Sequence, residues 1–260
     1  MDVAGKVVIV TGGASGIGRA LAERFSDDGA KGVVVADLDQ EGATDVATDL
    51  GNAIAIGCDV ADPAHANVLV GAAEQAFGPV DLFCANAGVA VGQDLATPAD
   101  WDLAINVNVR AHIAAAERLV PGWLERGTGY FLTTASAAGI LSQIGSAPYA
   151  VTKHAAVAFA EWLSITYGGR GVGVSCLCPM GVNTPLLMDG DSLATRIVTA
   201  AARVLEPEEV ADAVVDGLRD ERFLILPHPE VGEYFQRKAA DYDRWLAGMR
   251  RLQASVEARR

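Results

Sequence analysis

The chain has 260 residues, 51% hydrophobic and 20% charged, with a formal net charge of −13. That length buries a sizeable core in one large α/β domain or two small ones, and the composition excludes a disordered chain. The charge argues against nucleic acid and anionic membrane as partners; the apolar runs are strand-length, and MDVAGKVVIVTGG has no signal-peptide pattern, so a soluble, cytoplasmic protein with no membrane partner is expected.

Apolar strand-like runs then alternate with helical stretches along most of the chain. KVVIVTG precedes a helical IGRALAERFSDDG, VVVADL precedes QEGATDVATDL, and AIAIGCDV precedes HANVLVGAAEQAFG. VDLFCANAG leads into one long helical stretch from about Pro98 to Arg126, and GYFLTTAS into a helix that carries YAVTK and runs to about Gly168. VGVSCLCP leads into a less regular segment from Met180 to Leu205; a helix with Pro207 in its first turn and a last strand, RFLILP, follow. This repetition means parallel strands with crossover helices, and strands apolar throughout mean that both sheet faces are covered. No linker or repeat interrupts the pattern, so 1–260 is read as one domain. From Val231 to Leu252 apolar residues recur at three- and four-residue spacing, as on the stripe of a helix. From Glu230 onward the tail carries +2, leaving −15 for the body. A basic amphipathic helix beside an acidic body is expected to dock on that body or on a neighbouring subunit, with a membrane or other partner as the alternative.

Ligands of such sheets bind beyond the carboxyl ends of the strands, which ranks the chemistry-bearing residues. TGGASGIG, Thr11 to Gly18, follows the first strand and opens the first helix. Its glycines let the backbone turn tightly and approach a pyrophosphate, which the helix N-terminus then favours. Asp37 ends the second strand, where an acidic residue binds ribose hydroxyls and repels a 2′-phosphate; no Lys or Arg stands beside it in ADLDQ. NAD is therefore expected over NADP, although a solvated turn aspartate is the plainer reading of Asp37 alone. Tyr149 and Lys153 stand four apart on a helix and so share a face. A phenol with a pKa near ~10 is a poor base, and a neighbouring ammonium is expected to lower that value.

The four cysteines, Cys58, Cys84, Cys176 and Cys178, read as small buried apolar residues without disulfides or a metal site. His154 reads as a packing residue, His65, His112 and His228 form no cluster or motif, and Asp81 and Asp94 have no evident partner.

In this order the motifs resemble those of the short-chain dehydrogenase/reductase family over nearly the whole chain. TGGASGIG resembles its cofactor loop, with Gly12, Ser15, Gly16, Ile17 and Gly18 as contacts, followed by Asp37 and Leu38. CDV, Cys58–Asp59–Val60, resembles its adenine segment, and ANAG, with Asn86, Ala87 and Gly88, its NNAG element. INVNV places Asn108, TTASAAG places Ser136, and YAVTK places Tyr149 and Lys153 where the family has its catalytic residues. PMGVNT resembles PGxVxT, with Pro179, Val182 and Thr184 at the cofactor. Two departures stand out: Ala85 replaces the first Asn of NNAG, altering a sheet contact, and Met180 replaces a Gly, placing a bulky side chain near the nicotinamide.

The resemblance implies a single-domain Rossmann-type doubly wound parallel sheet of about seven strands with helices on both faces. It implies an NAD(H)-dependent oxidoreductase interconverting a secondary alcohol and a ketone. Tyr149 would be the general acid/base, Ser136 would hold the reacting oxygen, Lys153 would also bind the nicotinamide ribose, and Asn108 would hold a relay water. A lid is expected over 181–203, where Leu186, Leu187, Met188, Leu193, Ile197 and Val198 point to an apolar or mixed substrate, alicyclic or steroid-like. A homodimer or homotetramer is expected. The alternatives are an epimerase or dehydratase on the same fold and a non-catalytic dinucleotide-binding sensor or scaffold.

Overall fold

The apolar runs form strands β1 (Val7–Thr11), β2 (Gly32–Asp37), β3 (Ala53–Gly57), β4 (Leu82–Ala85), β5 (Gly129–Thr134), β6 (Val172–Leu177) and β7 (Leu224–Ile225). In this computed structural model, which describes residues 1–188, 192–201 and 203–258, they pair in parallel in the order β3-β2-β1-β4-β5-β6-β7. The strand pleat sends alternate residues to two separate cores. Val7 and Ile9 face helices α3 (His65–Ala76), α5 (Ala111–Arg126) and α7 (Ala147–Tyr167), packing with Leu69, Ala115 and Ala156. Val8 and Val10 face α1 (Gly16–Asp27), α2 (Gln40–Leu50) and α10 (Pro207–Arg219), packing with Leu21, Phe25 and Val214. Burial on both faces explains why these strands do not alternate with polar residues.

Helix starts follow local chemistry. Ser146 caps α7, its Oγ accepting from the Tyr149 N–H at 3.3 Å. Thr97 opens α4 (Pro98–Ile105) in a reciprocal capping box with Asp100, and Pro207 begins α10.

Three elements differ from the expectation. The stretch from Pro98 to Arg126 is not one α-helix: a π-helical turn, Asn106–Arg110, separates α4 from α5, with the Ala111 N–H donating to the Asn106 carbonyl. The irregular segment after Met180 contains two helices, α8 (Pro185–Met188) and α9 (Leu193–Ala201), and a four-residue α6 (Ala138–Leu141) precedes α7. Residues 189–191, 202 and 259–260, which belong to the expected lid and tail, lie outside the described residues. The tail is two helices, α11 (Glu230–Ala240) and α12 (Tyr242–Glu257), because Asp241 is extended and its side chain accepts the Arg244 N–H at 2.9 Å, capping a new helix. Tyr234 of α11 stacks near Trp245 of α12, so the apolar stripe is folded back on itself. Both helices pack on the body: α11 against α6, and α12 against α9. No described helix is long and apolar enough to cross a membrane.

Candidate active site

Strand order reverses between β1 and β4, so the loops after these two strands diverge and leave a crevice. Thr11 holds its floor together. Its buried hydroxyl donates to the Cys84 carbonyl at 3.1 Å and accepts from the N–H groups of Asn86 and Ala87, each at 3.0 Å. The Asn86 amide returns the connection, donating to the Thr11 carbonyl at 3.0 Å.

Above this floor lies a cleft of about 910 Å³. It is lined at one end by Gly12, Ser15, Gly16, Ile17 and Gly18 of the glycine loop, with Asp37, Leu38, Cys58, Asp59 and Val60 beside them. Asn86, Ala87 and Gly88 line its middle. Ser136, Tyr149 and Lys153 line it too, with Pro179, Val182 and Thr184; Thr184 lies against Gly16 of the glycine loop. Asn108 alone of the expected catalytic and cofactor-binding residues is not on the cleft wall; it is fully buried.

The loop residues fit a dinucleotide. α1 begins with no side-chain cap hydrogen bond and no acidic residue in its first turn, while its first residues line the cleft. Free first-turn N–H groups in that position suit a diphosphate. Gly18 permits the close packing: a Cβ there would lie 1.9 Å from the Gly12 carbonyl oxygen. Asp37 accepts the Ala14 N–H at 3.0 Å and the Asp39 N–H at 3.0 Å, one on each carboxylate oxygen, which leaves a lone pair on each for hydroxyls. Among the described residues lining the cleft, Lys153 is the only cation, so nothing near Asp37 would compensate a 2′-phosphate.

Lys153 is buried and donates to the Thr134 carbonyl at 3.0 Å, its Nζ lying 5.7 Å from the Tyr149 ring centre. Burial pulls its pKa down to about 8, partly countered by Cys178 and Cys176. Tyr149 itself is shifted upward in the cofactor-free protein. Burial raises the phenol above its ordinary value and outweighs the hydrogen bond from Ser136, which acts the other way. Desolvation opposes the charged form of each group. Ser136 accepts the Ala138 N–H at 3.1 Å, so its hydroxyl is anchored at the start of the turn into α6.

Asn108 sits in the π-helical turn, and its amide is committed to protein partners. Oδ1 accepts the Val89 N–H at 2.9 Å, and Nδ2 donates to the Val89 carbonyl at 2.9 Å and to Thr152 Oγ1 at 3.1 Å. It therefore ties the loop after β4 to the helix of Tyr149 and Lys153. Gly88 lets that loop pass: a Cβ there would meet Lys153 Nζ at 3.2 Å and Asn108 Oδ1 at 3.3 Å.

Other side chains find roles or partners that the sequence did not disclose. Asp81 accepts the Val7 N–H at 3.0 Å, and Asp94 pairs through its backbone with Gly145 and Ala147. His154 bonds the Ala150 carbonyl one turn back on its own helix. His65 and His112, far apart in the chain, share a separate small cavity of about 20 Å³ beside Ala85. Burial drives His112 down to about 3, assisted by the charge of Lys153, so it is neutral. All four cysteines are buried free thiols, and Cys176 and Cys178 lie on the same strand side with sulfurs 3.8 Å apart. Thr152 and Lys238 were not singled out from the sequence, and His228 reads there as part of no cluster or motif. Thr11 carried a signal, as the first residue of the glycine motif.

Of the six apolar residues expected on the lid, Leu186, Leu187 and Val198 line the cleft. Ile197 is buried in the protein and Met188 is exposed. Met180 lines the cleft, and its backbone N–H is held by His228.

A family model described as short chain dehydrogenase matches residues 6–192. The chain is 35% identical over 244 residues, 88% of this chain and 86% of the relative, to 1-deoxy-11-beta-hydroxypentalenate dehydrogenase of Streptomyces exfoliatus. It is 33% identical over 239 residues, 86% of this chain and 88% of the relative, to (+)-cis,trans-nepetalactol synthase of Nepeta racemosa. A solved short chain dehydrogenase/reductase from Burkholderia phymatum, in complex with NAD, superposes with a TM-score of 0.85 at 29% identity, covering 94% of this chain and 96% of that one. The glycine loop at the sheet's reversal point, the Ser136–Tyr149–Lys153 wall and these matches agree: the chain belongs to the short chain dehydrogenase family.

Proposed function

We propose that the chain is an NAD(H)-dependent oxidoreductase that interconverts a secondary alcohol and a ketone. The observation that carries this is a single cleft lined both by the glycine loop and Asp37 and by Ser136, Tyr149 and Lys153. The glycine loop and the start of α1 would hold the diphosphate, Asp37 the adenosine ribose, and Lys153 the nicotinamide ribose. The nicotinamide, when bound, accepts or supplies the hydride.

The protein's own part is proton transfer and orientation. Tyr149 takes the hydroxyl proton of the alcohol, or gives one to the carbonyl in reverse. Ser136 hydrogen-bonds the same substrate oxygen and fixes its distance to Tyr149. Lys153, with its pKa near 8, exchanges a proton within the working pH range and supports the phenolate when charged. Asn108 positions this pair through Val89 and Thr152; its remaining Oδ1 lone pair is the group available to a relay water.

Leu186, Leu187 and Val198 make the substrate end apolar, which suits an alicyclic alcohol or ketone. The names of the pentalenate dehydrogenase and nepetalactol synthase support that class. α7 exposes Trp162 and Ile165, a face that fits a homodimer or homotetramer, and the acidic composition fits a soluble cytoplasmic protein. A second reading, chemistry on this fold without net hydride transfer, is set beside the first because one relative is named a synthase.

The test is NADH formation from NAD with a panel of alicyclic secondary alcohols, beside Tyr149→Phe. Turnover in the wild type, with kcat lowered about 10²–10⁴-fold in the variant and NAD binding retained, is expected. A product formed without NADH would favour the second reading, and undiminished turnover in Tyr149→Phe would remove Tyr149 from its role.

A further inference from the structure

The expected lid leaves the body after Met180 and returns at Arg203, and one buried side chain touches both points. His228 stands in the loop between β7 and α11 and is 2% exposed. Its Nδ1 accepts the Met180 N–H at 3.2 Å, and its Nε2 lies 3.1 Å from the Arg203 carbonyl oxygen. An N–H on one side requires Nδ1 to be the acceptor, and a carbonyl on the other requires Nε2 to carry the hydrogen. The two contacts therefore select one neutral tautomer and use both ring nitrogens. The backbone closes the same neck: Asn183 N–H donates to the Leu205 carbonyl at 2.8 Å and Leu205 N–H to the Gly181 carbonyl at 3.0 Å. That pairing is an isolated bridge between Val182 and Leu205 rather than a sheet.

We propose that His228 is a positioning residue, a latch that pins both ends of the lid and so places its cleft-lining residues. Met180 and Val182, on the outgoing side, line the cleft, as do Leu187 and Val198 within the lid. The latch also fixes the lid to the tail: the His228 carbonyl accepts the Val231 N–H at 3.1 Å at the start of α11, and α12 packs against α9. The inference rests on the reading of 181–203 as a lid over a dinucleotide cleft.

The experiment is limited trypsin digestion of the full chain, reading cleavage at Arg196 and Arg203, for wild type, His228→Phe and His228→Gln, with and without NADH. His228→Phe keeps the ring's bulk and removes both bonds; His228→Gln keeps a donor and an acceptor. The latch predicts at least tenfold faster lid cleavage in His228→Phe, with cleavage elsewhere unchanged, and a rate within threefold of wild type in His228→Gln. Lid cleavage unchanged in His228→Phe, or raised only in step with cleavage of the whole chain, overturns it, as does failure of His228→Gln to restore the wild-type rate. Should His228→Phe not fold, His228→Asn takes its place: its shorter amide reaches Met180 but not Arg203, and lid cleavage above that of His228→Gln is expected. The arms also separate the two readings. Failure of NADH to bind the wild-type chain overturns the dinucleotide reading, while the comparison of cleavage rates still decides the latch.

Discussion

Asn108→Ala tests whether the buried amide behind the cleft positions the helix of Tyr149 and Lys153. The amide makes three hydrogen bonds, two to Val89 and one to Thr152. Its removal strands the N–H and the carbonyl of Val89. Thr152 Oγ1 loses only an acceptor bond and still donates to the Pro148 carbonyl at 2.7 Å. Each stranded buried group costs about 1–3 kcal/mol. Val89 lies on the cleft wall and water reaches part of it, so the lower half of that range applies to each of its two groups. The expected loss is about 2–4 kcal/mol, or roughly 5–10 °C in Tm at this chain length. Urea unfolding of the cofactor-free protein with an unchanged m-value measures it. Activity should fall further than stability explains, roughly 10–100-fold in kcat at a temperature where the variant is folded, because Tyr149 and Lys153 lose their reference to the loop after β4. A variant that loses under about 1 kcal/mol and keeps its kcat would refute the positioning role.

Replacing Asp37 by Ser keeps an acceptor for the Ala14 N–H and removes the charge. The NAD-over-NADP preference in fluorescence titration should fall by roughly 10–100-fold, as expected for a unit charge near a phosphate at effective surface dielectric, and an unchanged ratio would place the adenosine elsewhere. Lys153 has its pKa depressed from 10.5 to about 8 by burial, so the folded protein binds fewer protons than the unfolded chain between those values. Stability then rises with pH from about 8 toward 10 as the buried ammonium discharges, and the destabilisation is fully present below 8. Relative to Lys153→Met, the wild-type chain should gain roughly 2–3 kcal/mol over that interval in cofactor-free unfolding; a flat difference would show that Lys153 is not desolvated. Lys238 is buried on α11 and donates to the Ile140 carbonyl at 2.7 Å, so the tail braces the turn that follows Ser136. Lys238→Met should lower Tm by a few degrees through a lost buried bond worth about 1–3 kcal/mol and reduce kcat with NADH affinity kept; equal kcat at matched folded fraction would confine the residue to stability.

The elements that a local pattern defines were legible in the sequence. Val7–Thr11 and Gly32–Asp37 are apolar on both faces and became buried central strands, and the glycine motif lies where the strand order reverses. Gly18 shows why that motif is readable: the close approach to the Gly12 carbonyl admits no side chain, so the constraint is written in one residue. The π-helical turn at Asn106–Arg110 leaves no such mark. It is one extra residue in a helical register, and the surrounding apolar periodicity is equally consistent with an unbroken helix. The break at Asp241 was missed for a related reason: Tyr234 and Trp245 keep a helical spacing across it, and a single extended residue with a capping carboxylate folds the stripe in two.

The residues that hold the site in place belong to a different class again. Asn108, Ser136, Tyr149 and Lys153 are found from motifs because chemistry restricts their identity. Thr152, His228 and Lys238 each act through a partner 44 or more residues away: Asn108, Met180 and Ile140 respectively. Nothing local demands a threonine, a histidine or a lysine at those positions; the demand arises only when the sheet brings β4, α7, the lid and the tail together. The same assembly adds a desolvation effect on Tyr149 that spacing does not show. Spacing puts an ammonium near a phenol, whereas the folded cleft adds desolvation, which raises the phenol and lowers the buried ammonium. On the proposed function, a phenol held above its ordinary pKa would serve as a proton donor in ketone reduction. On the same reading it would act as a base for alcohol oxidation once the positive charge of the oxidised dinucleotide entered the cleft, so the pH dependence of oxidation and of reduction should differ.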